Sequence, residues 1–320
     1  MELKRAGKIA AAYLLDALWG DPPWYPHPVR IMGACITFLD RRIIPADRSS
    51  RAARRAGCLL AGMVVAGSWL CARALLSLRG GGLLETPLLY TCLARKDLER
   101  SALDVAEALE AGDLARARRR LAGLVGRDTE SLDGHGICRA AVESVAENFV
   151  DGVLAPLLWM AWGGAPAALA FKAVSTLDSM IGHRDEENLL PGWCGARLDD
   201  VAVFPAARTS IPLLSAAAFL CGMDGRGAWR TGWRYRLCHE SPNSAHPEAA
   251  FAGALRVSLG GPDRYRGEER LLPVVGEGTR ELEPRHVREA VRLLNAASLL
   301  ALLLVFFLAA VSPGRGGARG

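Results

Sequence analysis

A run of twenty-two residues without a charged side chain, 293–314, constrains the fold of this chain more than any other feature. A helix of about 20 mostly apolar residues crosses a bilayer core, and the core helices of soluble proteins are rarely uncharged over such a length. Three shorter uncharged runs occupy 56–72, 152–171 and 209–223. The chain is therefore predicted to be an integral membrane protein. The competing interpretation is a large soluble all-α protein with buried helices.

We predict an all-α, polytopic helical membrane protein, organised as a single membrane-embedded domain over residues 1–320. Pro and Gly residues within 152–171 indicate a kinked or closely paired helix. Arg flanks nearly every span, so the positive-inside rule does not orient the protein. The predicted boundaries are spans near 56–76, 152–172, 204–223 and 293–313, two weaker candidates at 9–20 and 83–94, and polar helical regions over 95–151 and 224–292.

The first polar region has the pattern of a helical hairpin. Apolar residues recur at helical spacing from Leu98 to Leu109, and Gly112 with Asp113 is expected to end one helix and cap the next. No stretch of the chain shows the sustained alternation typical of a strand. The small residues of 248–260 favour close approach either to another helix or to a flat ligand.

The composition excludes several classes of function. The formal net charge is +5, but 35 Arg accompany only 4 Lys, a skew typical of genome-wide composition. Basic and aromatic residues do not interleave, so no nucleic-acid partner is expected. The eight Cys are scattered without a CxxC spacing, which favours small buried hydrophobes over disulfides or zinc ligands. Walker A, GxGxxG and nucleophile-elbow motifs do not occur, so an ATP site here would not be a P-loop.

Ionisable residues four apart precede the second uncharged run, in "GHGICRAAVESVAENFVDG", residues 134–152. On a helix, Glu143, Glu147 and Asp151 share one sector, and Arg139 can pair with Glu143 one turn on. The simplest interpretation is an amphipathic helix with an ion pair on its solvated side. The position at the mouth of a membrane span favours a second interpretation, in which the three carboxylates hold a divalent cation that in turn binds phosphates.

The segment 172–210, which follows that span, is also dense in candidate ligands. Adjacent Asp199 and Asp200 would repel each other unless a cation or an arginine lies nearby, although a helix N-terminus would favour them as well. His183 taken alone is typical of a surface loop. The other candidates in this segment suit metal, phosphate or carboxylate ligands and are Asp178, Arg184, Asp185, Glu186, Arg197 and Arg208.

Six blocks of sequence follow one another along the chain. They are "DPPWYPHPVRIMG" (21–33), "VGRDTESLD" (125–133), "AAVESVAENFVDGVLAPLLW" (140–159), "STLDSMIGHRDE" (175–186), "ARLDDV" (196–201) and "SPNSAHPEAAFAGAL" (241–255) with the following "LGG" (259–261). In this order they resemble the adenosylcobinamide-phosphate synthase family of cobalamin biosynthesis, whose members are polytopic membrane proteins. The resemblance covers nearly the whole chain.

The resemblance implies an ATP- and Mg²⁺-dependent acid–amine ligase. Its reaction would join a propionate carboxylate of adenosylcobyric acid to (R)-1-amino-2-propanol O-phosphate, or a related amino alcohol, and give adenosylcobinamide phosphate. The implied partners are these corrinoid and amino alcohol phosphate substrates, membrane lipid and other membrane enzymes of cobalamin assembly. Cytoplasmic substrates imply a multi-pass protein of the cell (inner) membrane whose functional loops face the cytoplasm.

Such chemistry requires a metal to bridge phosphates, fixed positive charge for the transferring phosphoryl group, and a base for the amine. An imidazole titrates near neutrality and can accept the amine proton. The predicted catalytic residues are His183, His27 and Arg184. The predicted substrate- or ATP-binding residues are Arg30, Arg197, Arg208, Asn148 and Asn243. The predicted metal ligands are Glu143, Glu147, Asp151 and Asp178, with Asp199 and Asp200 as second choices.

A membrane transporter of corrinoids or of another solute is the competing function. Transporters usually place ionisable groups near the bilayer midplane on broken helices, whereas here the charges cluster at span ends and in loops. A membrane scaffold for other enzymes of the pathway is a third class, and it would need none of these clustered acids.

Overall fold

The computed structural model describes residues 2–21, 27–182 and 188–311. These residues are mostly helical, with one small two-stranded sheet, which confirms the predicted all-α class. Within them, four helical segments are long and apolar enough to cross a membrane, and each overlaps one of the four main predicted spans. The segments are Arg51–Ser77, Gly134–Ile181, Trp193–Leu220 and Pro284–Ala309.

The helices and strands follow one another with short connections. In chain order they are α1 (Glu2–Trp19), α2 (Pro28–Ile43), α3 (Arg51–Ser77), α4 (Glu85–Tyr90), α5 (Arg95–Glu110), α6 (Leu114–Ala122), α7 (Gly134–Phe149), a π-helical turn (Val150–Leu154), α8 (Ala155–Ile181), α9 (Trp193–Leu220), α10 (Gly225–Tyr235), α11 (Ala245–Leu255), β1 (Leu259–Tyr265), β2 (Glu268–Val275) and α12 (Pro284–Val311). The weaker span candidate 9–20 coincides with most of α1, whereas 83–94 contains only the six-residue helix α4.

The first of two compact units combines Met1–Leu93, Ala155–Ala202 and Leu302–Gly320. Its helix α3 packs against α8, yet only 22% of the most apolar window of α3 is buried by protein. An apolar helix face that no protein covers suits contact with lipid. Inside α8, Gly164 has a left-handed φ of 67° ahead of Pro166, which confirms the predicted kink.

The second unit combines Ala94–Leu154 and Val203–Ala301. It begins with the helical hairpin α5–α6, which the sequence predicted. Gly112 adopts φ 73° between the two helices, and the Asp113 carboxylate accepts a hydrogen bond from the Arg116 N–H at 2.8 Å. An N-cap of this kind satisfies one of the N–H groups that a helix start leaves without a partner.

Small residues bring α10 and α11 close together in the second unit. Every residue of α11 is buried, and a Cβ added to Gly253 would lie 2.3 Å from the Gly227 carbonyl oxygen of α10. Of the two alternatives for this small-residue segment, the structure therefore supports packing against another helix. The helix also ends earlier than residue 260, because Arg256 adopts a left-handed φ of 56° just after Leu255.

The antiparallel hairpin β1–β2 is the element that the sequence did not predict. Arg266 and Gly267 join the strands with φ values of 51° and 84°, the two consecutive left-handed residues of a type I′ turn. The sequence shows no sustained alternation here because the Gly-Gly-Pro run 260–262 interrupts it, and the pairing is irregular between Leu259 and Gly261.

Candidate active site

Helix α7 carries a carboxylate into the interior of the second unit. Glu143 is only 4% exposed, and both of its oxygens have protein partners. Oε2 accepts a hydrogen bond from Arg127 Nη1 at 2.6 Å, and Oε1 accepts one from the Gly260 N–H of β1, also at 2.6 Å. A buried carboxylate is stable only with such charge and hydrogen-bond partners. Glu143 therefore fixes the loop before α7 and the hairpin to the helix.

Two arginines and a second carboxylate extend this network. The Asp263 carboxylate, whose residue is 5% exposed, accepts from Arg127 Nη1 at 2.7 Å and from Arg139 Nη2 at 2.8 Å. Arg139 also donates to the carbonyl oxygens of Gly260 and Pro262. The predicted pair between Arg139 and Glu143 is present at 3.9 Å, but it is longer than the contact of Arg139 with Asp263.

The charge of Arg127 is secured by its neighbours. Burial disfavours the charged guanidinium, but the nearby Glu143, Tyr265 and Asp263 outweigh burial and raise the pKa of Arg127. The side chain is thus a permanent cation between two buried carboxylates.

A histidine–carboxylate pair lies in the same unit, where His239 Nε2 is 3.0 Å from Glu248 Oε2 of α11. Burial alone would lower the pKa of His239, but the hydrogen bond and charge of Glu248, with the charges of Glu147 and Glu143, raise it overall. Burial also raises the pKa of Glu248, against the opposing effect of His239.

We refer to Glu143, Glu147, Asp151 and Glu248, with His239 and Arg127, as the carboxylate cluster.

The other acids of α7 and of the π-helical turn after it are more accessible than Glu143. Glu147 is exposed and Asp151, in the π-helical turn, is half-buried. Glu248 and Asp151 are electrostatic neighbours of Glu147. Among the residues that the structure describes, no group of three or more His, Cys, Asp or Glu side chains is arranged to hold a metal ion. The metal-ligand roles of these residues remain predictions.

Two of the predicted binding residues are brought together in the second unit. Arg208 Nη1 donates a hydrogen bond to the Asn243 side-chain oxygen, and the Arg208 guanidinium lies over the Phe204 ring. Asn148 faces a different partner, because its amide nitrogen donates to the Ser144 carbonyl at 2.9 Å and to the Ser144 hydroxyl at 3.1 Å.

The other predicted site residues belong to the first unit or lie outside the described residues. His27 is the N-cap of α2, and its Nε2 is 3.3 Å from Asp21 Oδ2. Arg197 Nη1 donates to Asp200 Oδ2 at 2.9 Å. The adjacent Asp199 and Asp200 were expected to need a cation or an arginine nearby, and this contact supplies the arginine. Arg30 is exposed, and the half-buried residues are Asp178 and Asp199. His183, Arg184, Asp185 and Glu186 lie outside the described residues.

Four residues of this network were absent from the predicted site: Arg127, His239, Glu248 and Asp263. The first three stand inside or beside the sequence blocks that carry the family resemblance, which was the available signal. No sequence signal pointed to Asp263, because it follows the last block in a segment that was not predicted to be a strand.

Comparison with known proteins places these blocks in context. The family model described as CobD/Cbib protein matches residues 9–294. The chain is 46% identical over 299 residues to the cobalamin biosynthesis protein CobD of Klebsiella pneumoniae, covering 92% of this chain and 94% of that protein. It is 43% identical over 312 residues to CobD of Pelobacter propionicus, covering 96% of each chain. It is 44% identical over 299 residues to the cobalamin biosynthesis protein CbiB of Salmonella arizonae, covering 92% and 94%. No solved structure matches.

Proposed function

The chain belongs to the CobD/CbiB protein family, and from that premise we propose that it is an amide-forming ligase of cobalamin biosynthesis. The reaction joins adenosylcobyric acid to (R)-1-amino-2-propanol O-phosphate, or a related amino alcohol, with ATP and Mg²⁺. The product is adenosylcobinamide phosphate. The observation that supports this proposal most directly is the carboxylate cluster, which combines buried acids, a fixed cation and a histidine in one unit of a membrane protein.

The chemistry explains why such a cluster is useful. A carboxylate does not react with an amine near neutral pH without activation. ATP would supply it by converting the carboxylate to an acyl phosphate with release of ADP, and the amine would then attack the acyl carbon and displace phosphate. Proton acceptance and stabilisation of negative charge are the tasks left to the protein. His239 can accept a proton at Nε2, and Glu248 Oε2 can share that proton, while Arg127 keeps a positive charge beside the acids.

The carboxylates of the cluster suit a Mg²⁺ ion that is also bound by water and substrate better than an ion enclosed by protein ligands alone. Mg²⁺ usually binds one or two carboxylates and keeps waters and substrate phosphates as its other ligands. Glu147 and Asp151 suit that role because they are accessible, whereas both oxygens of Glu143 already have partners. We propose Glu147 and Asp151 as the carboxylates that would hold the ion.

The other residues predicted from the sequence keep their proposed roles. His27, His183 and Arg184 remain the proposed catalytic groups, while Arg30 and Arg197 remain proposed ligands of phosphate or propionate. Arg208, Asn148 and Asn243 are proposed to bind substrate or ATP. The further metal-ligand proposals are Asp178, Asp199 and Asp200. The substrates and ATP are cytoplasmic, so we propose that these loops face the cytoplasm from the inner membrane.

Purified protein in detergent tests the reaction directly. Adenosylcobyric acid, the amino alcohol phosphate, ATP and Mg²⁺ are combined, and the amide product is measured by mass spectrometry with and without ATP. We expect Glu147→Gln to abolish product formation while the protein still inserts into membranes. Glu107→Gln, which removes an exposed carboxylate of α5, is the matched control and should retain wild-type activity.

Two results would argue against the proposal. Full activity in Glu147→Gln would remove this residue from the site. Absence of any ATP-dependent amide, together with corrinoid uptake into proteoliposomes, would instead support the transporter.

A further inference from the structure

A cavity of about 660 Å³ opens between the loop before α7 and the turn of the hairpin. Its walls are the residues 127–131 on one side and Arg264, Arg266 and Gly267 on the other. We call it the arginine cavity, after Arg127, Arg264 and Arg266. Its volume falls within the range of about 300–1,000 Å³ that is usual for sites of small molecules.

Hydrogen bonds hold the two walls of the arginine cavity together. The Asp128 carboxylate accepts from the Gly267 N–H at 2.7 Å and from the Arg266 N–H at 3.2 Å. The Asp128 N–H in turn donates to the Arg264 carbonyl oxygen at 2.8 Å. The loop and the turn are therefore fixed to each other before any ligand arrives, which lowers the ordering cost of binding.

The charges of the wall favour an anion. Arg127 makes both of its ion pairs through Nη1, and no other atom of its guanidinium is hydrogen-bonded to a residue that the structure describes. Arg264 is 45% exposed and pairs at 3.0 Å with Glu269, which is 80% exposed. Such a surface pair contributes little and is readily exchanged for another anion. The wall contains two acids, Asp128 and Glu130. The Asp128 carboxylate already accepts hydrogen bonds from two N–H groups, which leaves Glu130 as the acid that could repel an anion.

The chemistry of the wall narrows the class of anion. The planar guanidinium fork matches the oxygens of a phosphate group, and bonds between two charged groups are the stronger kind. Thr129 and Ser131 add hydroxyl groups to the same wall. Arg127 also contacts Glu143, so a ligand in the arginine cavity would lie next to the carboxylate cluster.

We propose that the arginine cavity binds the phosphate group of a phosphorylated substrate. The phosphate is either the monoester of the amino alcohol or the polyphosphate of the nucleotide, and the two share the chemistry that the wall recognises. The inference rests on the proposed function and deepens it, because it assigns the phosphate-bearing substrate to residues outside the predicted site.

Calorimetric titration of the full-length protein in detergent tests this site without turnover. The probes are (R)-1-amino-2-propanol O-phosphate against the same amino alcohol without phosphate, and ADP against adenosine. The variants are Arg264→Gln and Arg266→Asn, since asparagine tolerates the left-handed backbone of the turn. Arg270→Gln removes an exposed arginine of the same hairpin outside the cavity wall and is the matched control.

We expect at least one phosphorylated probe to bind more tightly than its counterpart without phosphate. Each cavity variant should weaken that binding by about tenfold, while Arg270→Gln changes it by less than about twofold. The probe that responds identifies the source of the phosphate. The proposal is overturned if neither phosphorylated probe binds, if both cavity variants bind as the wild type does, or if Arg270→Gln weakens binding equally. Amide formation is not measured in these titrations, so failure of the ligase proposal would be seen separately.

Discussion

Single buried charges determine how the second unit is held together. Glu143 and Asp263 are each about 5% exposed or less, and a single nitrogen of Arg127 donates to both of them. Removing a carboxylate from water costs several kcal/mol unless a partner compensates it. Arg127 supplies that partner for two elements at once, α7 and β1. Its contribution is thus to the position of the hairpin as well as to the charge of the carboxylate cluster.

Arg127→Gln should therefore destabilise the protein strongly. We expect a loss of about 3–5 kcal/mol, seen as a lower midpoint of thermal unfolding in detergent, because two carboxylates are left buried without their shared cation. Arg270→Gln is the control, and an exposed arginine of this kind should change stability by less than about 0.5 kcal/mol. Equal midpoints for the Arg127 variant and the wild type would show that the network is not needed for folding.

His246 gives the second unit a dependence on pH. Burial, followed by the charges of Arg208 and Arg236, lowers the pKa of His246 from 6.5 to about 4. Between these values the unfolded chain binds a proton that the folded chain does not, so stability falls as the pH is lowered from 6.5 towards 4. The slope contributed by one such group is at most about 1.4 kcal/mol per pH unit.

Thermal unfolding of His246→Gln at pH 7 and pH 5 measures this effect. The variant should lose less stability between the two pH values than the wild type does, whatever its stability at pH 7. His135→Gln, in an exposed histidine, is the control and should keep the wild-type difference. An unchanged difference in His246→Gln would mean that other groups cause the acid sensitivity.

The elements differ in how far their sequences predict them. The hairpin α5–α6 was predictable because Gly112 and Asp113 end and begin helices through local bonds. The β1–β2 hairpin was not, since its strands depend on contacts of Gly260 and Asp263 with α7, more than a hundred residues earlier. Helical spacing likewise found Glu143 but could not reveal its partners, because ion pairs between distant segments leave no periodic pattern.

Close packing of α10 on α11 predicts a large effect from a single methyl group. In Gly253→Ala the new Cβ would lie 2.3 Å from the Gly227 carbonyl oxygen and 2.8 Å from Thr231 Cβ, so the helices must separate. We expect a loss of about 1–3 kcal/mol, measured by thermal unfolding. Gly62→Ala in α3, where nothing lies within 4 Å of the added Cβ, should stay within about 1 kcal/mol of the wild type. Similar melting of Gly253→Ala and Gly62→Ala would exclude a tight helix contact.

At the scale of the whole chain, the length and apolar composition of the uncharged runs predict membrane insertion, but they do not reveal the chemistry of the site. The four candidate spans follow from length and composition alone. The contacts group the chain into two compact units, and α9 and α12 each contribute residues to both of them. Spacing along one helix could not show that the carboxylate cluster is built from α7, α11 and the segments that flank them, all in the second unit.

The side of the membrane that carries the carboxylate cluster decides whether the ligase proposal can hold. ATP is cytoplasmic, so the proposed reaction requires the cluster to face the cytoplasm. Cys238 reports the side of the cluster because it is exposed and adjacent to His239. In a variant that keeps only Cys238, we expect a membrane-impermeant maleimide to label inside-out vesicles but not intact spheroplasts. A variant that keeps only Cys92, which is 1% exposed, is the control and should label in neither preparation until the protein is unfolded. Labelling of Cys238 in intact spheroplasts would put His239 on the side without ATP, and the proposed reaction could not occur there.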